Sequence, residues 1–223
     1  MGLIKKPPPC VRFAAVFSSE DRFLDLVWDR LQSHWGKIAV LGQAFDFVES
    51  PYYLKTMFSS YESQIRPNLR KQMALFLKPY DPAELARDKH ASNRWEQAWT
   101  AELIAQDAAF AGLLDQQASA DEASVSGARR LINIDPGYLS MTKLVLASTK
   151  NREHRIYLSD GIYAEVTLAF RDQAWTAMPW TYADYQRPDV LDFLKQARKG
   201  FAQAVANALR DNELDSSGSG ADS

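Results

Sequence analysis

The residues best suited to chemistry lie between Asn133 and Glu165. Two strand-like runs, His154 to Ser159 and Ile162 to Phe170, flank Asp160-Gly161. Asp-Gly is a strong signal for a two-residue hairpin, because both turn positions need positive φ. Such a loop pairs Ser159 with Ile162, Leu158 with Tyr163, Tyr157 with Ala164, Ile156 with Glu165, Arg155 with Val166 and His154 with Thr167. Facing residues share one face of a sheet, so His154, Tyr163 and Glu165 come together, with Arg155 and Tyr157 on the opposite face. His154 and Glu165 are then diagonal neighbours, about 7–8 Å apart at the backbone, and their side chains can meet. A carboxylate beside an imidazole fixes its tautomer, which general acid–base chemistry uses. The same two residues also fit a cross-strand polar pair on a half-exposed face. A register change of one residue would separate them.

Further polar groups accompany this pair. Asn133 and Asp135 alternate with Ile132 and Ile134 and so share a strand face, with Asp135-Pro136-Gly137-Tyr138 reading as a turn at the strand end. An Asx-turn explains Asp135 more readily than it explains Asn133. Lys143 follows and could neutralise Asp135 or hold a phosphate. Lys89, Asn93, Glu96 and Thr100 recur at steps of four, three and four, one row on a helix. Such a row is usually the solvated face, but turned toward the hairpin it would line a cleft. A cationic trio of Lys143, His154 and Arg155 suits a small anionic or phosphorylated ligand, with His154 or Glu165 as the acid–base group.

The elements that must position these groups follow from local patterns. Lys5-Lys6-Pro7-Pro8-Pro9 is a stiff leader. Cys10 to Phe17 is apolar at nearly every position and predicts a strand buried on both faces. Ser18 and Asp21 predict a capped helix with Leu24, Val27, Leu31 and Trp35 on one stripe, stopped at Gly36. A strand is expected around Ala44–Glu49, an irregular or short helical stretch over Tyr52–Tyr61, and a strand from Leu69 to Pro79. Asp81-Pro82-Ala83-Glu84 starts a helix expected to reach Leu114. Asp115 to Gly127 reads as a surface excursion and Arg129 to Asp135 as the next strand. Leu139 to Ala147 fits a short helix or a strand. Trp175 to Trp180 fits an edge strand, because of Pro179. The aromatic run Trp175, Trp180, Tyr182 and Tyr185 fits a lid over the core, or else a pocket wall. Pro188 opens a final helix with Val190, Leu194, Ala197, Phe201, Val205 and Ala208 along one side.

The order strand–helix–strand–strand–helix–strand predicts an α+β fold with a ferredoxin-like split βαβ core, then a β-hairpin elaboration and a C-terminal helix. The expected division is a leader over 1–9, one domain over 10–210 and a disordered tail over 211–223.

Composition narrows the function classes. The chain has 223 residues, 46% hydrophobic, with a net charge of −2, so no overall field draws nucleic acid or an anionic membrane. One cysteine, Cys10, forms neither an internal disulfide nor a cysteine-based zinc site and points to a reducing compartment. With no signal-peptide h-region and no membrane-length apolar run, the expected location is cytoplasmic. No phosphate loop, no dinucleotide-binding glycine motif and no nucleophile elbow is present. The three histidines, His34, His90 and His154, lack metal-ligand spacing, so no zinc site is expected, and no motif identifies a cofactor.

Several strings together carry a resemblance: Asn133-Ile-Asp-Pro-Gly-Tyr-Leu139, Lys143-Leu-Val-Leu-Ala147, His154-Arg-Ile-Tyr-Leu158, Gly161-Ile-Tyr-Ala-Glu-Val166 and Trp180-Thr-Tyr-Ala-Asp-Tyr185. With the Lys-Pro-Pro opening, Tyr52-Tyr53 and the Lys89…Asn93…Glu96 row, they resemble the uncharacterised bacterial family known as domain of unknown function 4416. The resemblance spans nearly the whole chain up to its tail. It implies no established activity. Members often carry a GTP-binding label, yet Thr149-Lys150-Asn151 only echoes a guanine-specificity T-K-x-D and lacks its Asp. Two function classes remain: a small-ligand binder or enzyme using the residues above, and a non-catalytic interaction module presenting the aromatic and hairpin region.

Overall fold

A computed structural model describes Leu3 and residues 7–18, 21–46, 70–106 and 131–218, with the side chains of the last helix described to Gln203. The expectations for Tyr52–Tyr61, for the helix beyond residue 106, for the excursion at 115–127 and for Val205 and Ala208 lie outside the described residues.

The fold is α+β, and among the described residues it is built on a nine-stranded sheet in which every pairing is antiparallel. Strand β1 (Cys10–Ser18) runs between β4 (Arg70–Pro79) and β5 (Ile132–Ser140). This central place explains its nearly continuous apolar sequence, interrupted only by Arg12 before Ser18. The order is β2 (Ile38–Leu41), β4, β1, β5, β6 (Lys143–Ser148), β8 (Ile162–Arg171) and β7 (Ile156–Ser159), with β3 (Phe45–Asp46) on β4 and β9 (Ala174–Ala177) on β8.

Helices cover both faces. On one face, α1 (Asp21–Trp35) and α2 (Leu85–Gln106) bury Leu24, Val27, Leu31, Trp99 and Leu103 against Ala14, Val16, Phe76 and Ile134. On the other, α3 (Pro188–Gly218) packs Val190, Leu194 and Ala197 against Phe13, Ala15, Met73, Leu75 and Leu144. Period-two alternation along β1 serves both layers. Each fully buried aliphatic side chain contributes about 1.5–3 kcal/mol. The helix α3 extends through residues 211–218, into the segment expected to be a disordered tail.

Several local signals act as the sequence predicts. Asp81 accepts from the Ala83 N–H and Pro82 opens the turn that leads into α2. Gly36, at φ +90, ends α1 with its N–H on the Gln32 carbonyl. Asp160 and Gly161 both have positive φ, 49° and 76°, as a tight hairpin requires. Ser18, in contrast, is the last residue of β1 and donates to the Leu131 carbonyl. Of the strand expected around Ala44–Glu49, Phe45 and Asp46 form β3 and residues 47–49 lie outside the described residues; a separate strand, β2, precedes it at Ile38–Leu41.

The largest departure is at Asp135-Pro136-Gly137-Tyr138, which is strand, not turn. Pro136 pairs opposite Ala14 in the same phase as Ile134 opposite Val16. Ile134 directs its N–H and carbonyl away from β1, toward α2 side chains. Position 136 therefore asks for no N–H on the β1 side, and β6 begins to pair only at Gly137. Gly137 is needed for a close crossing: a Cβ there would lie 2.3 Å from the Val145 carbonyl oxygen. Leu139–Ala147 is accordingly a hairpin of two strands rather than a helix.

Candidate functional site

The site starts where β5 and β6 diverge. Asn133 and Asp135 pair opposite Phe17 and Ala15, which puts them on the α3 side of the sheet. Before Gly137, β5 has no strand neighbour on its outer edge among the described residues, and α2 takes that place. The Glu96 carboxylate accepts from the Ile134 N–H at 2.7 Å, and Lys89 Nζ donates to the Ile134 carbonyl at 3.2 Å. Thr100 Oγ1 accepts from the Leu131 N–H at 3.2 Å. The polar row on α2 is thus neither a solvated face nor a cleft wall along most of its length. Lys89, Glu96 and Thr100 are buried and act as a surrogate strand edge, while Asn93 is half-buried. Lys89 also reaches Asp135 Oδ1 at 3.2 Å.

The hairpin departs from the regular pairing in one respect. Ser159 faces Ile162 as the turn demands, but a bulge follows, and Tyr157 faces Tyr163 while Ile156 faces Ala164. This shift of one residue turns Arg155 toward Glu165, correcting the expected opposite-face placement. Arg155 Nε donates to Glu165 Oε2 at 2.6 Å, and its Nη1 donates to Ser148 Oγ and the Lys150 carbonyl. His154 lies in the turn before β7 and still reaches the same oxygen, with Nε2 at 3.2 Å. Its ring stacks on Trp180, 4.9 Å between centroids and 9° from parallel. Trp180 in turn donates from Nε1 to the Val166 carbonyl, on the strip of β8 edge between β7 and β9. Glu165 is therefore buried against two nitrogen bases, not one. Tyr163 lies on the same face, edge-on to Tyr157 at 5.4 Å.

Three residues outside the predicted set complete the cluster. Lys71 on β4 and Asp184 form an ion pair at 2.5 Å, both about 3% exposed. Lys71 Nζ also lies 4.3 Å from the centroid of the Tyr185 ring. Tyr185 is 1% exposed, and its hydroxyl has no hydrogen-bond partner. Burial, joined by the charges of Asp184, Asp135 and Glu165, pushes the Tyr185 phenol well above its ordinary value, so it stays protonated. Asn133 Nδ2 is likewise buried without a partner in hydrogen-bonding geometry, although the amide lies near enough to Asp135 to favour its charge. Burial alone would raise the Asp135 carboxyl, but Lys89 and Lys71 outweigh it and the net direction is downward. A sequence signal for these residues existed in Lys71 within an apolar strand and Asp184 within an aromatic run.

Lys143 does not join the cluster. It stands at the other end of β6, where Leu139 faces Leu144 and Ser140 faces Cys10, and its charge acts on the Cys10 thiol instead. Asp135 is neutralised by Lys89 and Lys71. Trp175 and Tyr185 are buried in the core facing α3, so the aromatic run is a lid and leaves no open apolar patch at those rings. A cleft of about 260 Å³ lies elsewhere, where β2 and β3 meet α3, with Leu41, Phe45, Phe193 and Asp192 in its walls. Among the described residues no group of three or more His, Cys, Asp or Glu side chains could hold a metal ion. No described helix is long and apolar enough to cross a membrane.

The family model described as "Domain of unknown function (DUF4416)" matches residues 8–117 and 114–201. The chain belongs to this family. No curated protein and no solved structure matches it. In this DUF4416 chain the second matched span contains Asn133, Asp135, His154, Arg155, Glu165, Asp184 and Tyr185, while Lys71 and Lys89 fall in the first. The cluster thus draws on both matched spans.

Proposed function

We propose that the chain binds a small ligand rich in acceptor oxygens, an anionic or phosphorylated metabolite such as a nucleotide, over the face formed by Asn133, Asp135, Glu165 and Tyr185. The observation that carries this reading is the buried Tyr185 hydroxyl, a donor without a partner, beside the Asn133 amide in a charged cluster. A buried donor left unmet costs about 1–3 kcal/mol. Tyr185 lacks an acceptor, and phosphate, carboxylate or carbonyl oxygen supplies one.

The charges refine the reading. Lys71, Lys89 and Arg155 are each matched by Asp184, Asp135 and Glu165. An incoming anion shares these cations with their carboxylates, so affinity rests on geometry more than on net charge. His154 presents Nε2 to Glu165, while Nδ1 lies on the side of the exposed Glu153 carboxylate at 3.8 Å. Glu165 is then the orienting group and His154 Nδ1 the candidate acid or base. The absent phosphate loop argues against P-loop chemistry. We also infer a ferredoxin-like split βαβ core, supported by the order β2-β4-β1-β5 with α1 and α2 as its crossovers.

The test is a thermal-shift panel of inorganic phosphate, nucleotides and small carboxylates on wild type, Tyr185→Phe and Glu165→Ala. A ligand at a hundred times its Kd stabilises by about 2.7 kcal/mol. The expected result is a ligand that raises the wild-type Tm and has a smaller effect on both variants. A ligand that shifts all three equally, or no shift across the panel, overturns the reading.

A further inference from the structure

We propose that the part of the ligand meeting Tyr185 is uncharged and carries a donor beside its acceptor oxygen, as an amide or lactam edge does, and that any phosphate on the ligand stays outside the cluster. This rests on the ligand-binding reading above and names the chemistry that the same face selects. The state of the cations is the reason. An anion is held best where a cation has donors to spare, and each cation here is already engaged. Lys71 Nζ meets Asp184 at 2.5 Å and lies 5.2 Å and 4.3 Å from the ring centroids of Phe17 and Tyr185. Lys89 Nζ donates to the Asp135 carboxylate and to the Ile134 carbonyl, both at 3.2 Å. Arg155 gives Nε to Glu165, and Nη1 to Ser148 Oγ and the Lys150 carbonyl. The three cations thus match three carboxylates, and the cluster holds no surplus positive charge.

An anion entering here must compete with Asp184, Asp135 and Glu165 for those cations, and it leaves water without a partner of its own. The same three carboxylates oppose negative charge at the Tyr185 oxygen. A neutral carbonyl takes the Tyr185 hydrogen bond without either penalty. The carboxylates then favour a donor on the ligand. Arg155 Nε and His154 Nε2 both fall on Oε2 of Glu165, and Oε1 receives neither. A ligand N–H beside the accepting carbonyl supplies a donor for that second oxygen. An amide or lactam edge presents both groups together, whereas a phosphate dianion presents acceptors alone.

Matched probes isolate the charge. Thermal shift and isothermal titration of the full chain compare uridine and guanosine, which carry a lactam edge, with adenosine, which does not, with the monophosphate of each, and with inorganic phosphate. The expected result is a shift with uridine or guanosine that Tyr185→Phe diminishes, none with inorganic phosphate, and no gain in affinity from adding the monophosphate. A phosphate that found an unmatched cation would instead tighten binding about tenfold or more, the worth of one charged hydrogen bond. That gain, or a wild-type shift with inorganic phosphate alone, overturns the uncharged assignment and leaves the ligand reading standing. Adenosine binding as tightly as the lactam nucleosides overturns the amide edge. No shift across the panel, or shifts that Tyr185→Phe leaves intact, overturns the ligand reading and this inference together. Glu165→Gln checks the charge balance directly: it strips Arg155 of its carboxylate, so inorganic phosphate should now raise the Tm of the variant. A folded Glu165→Gln protein as indifferent to phosphate as wild type counts against the argument, and the wild-type comparison decides if the variant does not fold.

Discussion

Replacing Glu165 with glutamine tests the hairpin register and the cluster at once. Glu165 is 4% exposed and Arg155 6% exposed at the side chain, and they meet at 2.6 Å. Removing one member of a buried ion pair leaves the other uncompensated, at a cost of about 3–5 kcal/mol. The amide keeps the shape, and Arg155 retains Ser148 Oγ and the Lys150 carbonyl as acceptors. The loss should fall at the lower end, about 3 kcal/mol, which for a chain of this length lowers Tm by about 6–12 °C. A double-mutant cycle sharpens the test. Arg155→Met and Glu165→Leu should each destabilise, and the double variant should recover much of the loss, since an apolar pair of similar volume is tolerated. Urea denaturation of the four proteins gives the coupling, expected at about 2 kcal/mol. Regular pairing without the bulge would put the two side chains on opposite faces and leave the changes additive within about 0.5 kcal/mol. Additivity would therefore refute both the register and the buried cluster.

Gly137→Ala should destabilise by about 3 kcal/mol or more, because its Cβ would meet the Val145 carbonyl oxygen at 2.3 Å and Leu146 Cδ2 at 2.8 Å; chemical denaturation measures it. Burial, with the charge of Asp88, raises the Tyr80 phenol, and burial with three carboxylates raises Tyr185. Groups that stay protonated in the fold add stability below their unfolded pKa, and that stability is lost as pH rises past it. One pH unit above the ordinary tyrosine value of about 10, the two together should cost about 3 kcal/mol, read from Tm against pH in wild type and Tyr80→Phe/Tyr185→Phe. Asp135 has the opposite sign: its lowered carboxyl adds stability above the unfolded value of 3.8, lost as pH falls through the folded one. Asp135→Asn should flatten that acid limb in a pH series of thermal melts. Tyr185→Phe, which removes an unmet hydroxyl, should leave the ligand-free protein at least as stable as wild type, as calorimetry would report.

Sequence periodicity served best where one rule governed each position. The double-faced strand β1, the Asp81 cap, the Gly36 stop and the Asp160-Gly161 turn all rest on local sterics or hydrogen bonding. It failed where a partner element changed the rule. Asp-Pro-Gly reads as a turn until α2 supplies hydrogen bonds along the β5 edge, so that proline costs nothing there and glycine makes room for Val145. The row Lys89, Glu96 and Thr100 reads as solvated because amphipathic reasoning assumes water on the polar side, whereas here that side meets unpaired backbone. A bulge leaves no mark on the turn residues, so Arg155 could not be assigned to Glu165's face from spacing. Lys71 and Asp184 lie 113 positions apart, and nothing in either local segment names the other.

The cluster is more than a substitute for apolar packing. Ion pairs at Lys71–Asp184 and Arg155–Glu165 are each desolvated, and apolar pairs of the same size would hold the sheet as well or better. Lys89, Glu96 and Thr100 have a structural reason, because the β5 edge must be satisfied. No such reason covers Asp184, Glu165 and Asp135 converging on the Tyr185 phenol. Burial, joined by those carboxylates, raises the phenol further, so it remains a donor even at alkaline pH. Asn133 adds a second donor beside Asp135. Lys89 and Lys71 in turn favour the charged form of Asp135, while Arg155 pairs with Glu165. That arrangement is the physical argument for the proposed ligand bearing acceptor oxygens, and it assigns the charge balance to recognition in place of stability only if Tyr185→Phe weakens binding without weakening the fold.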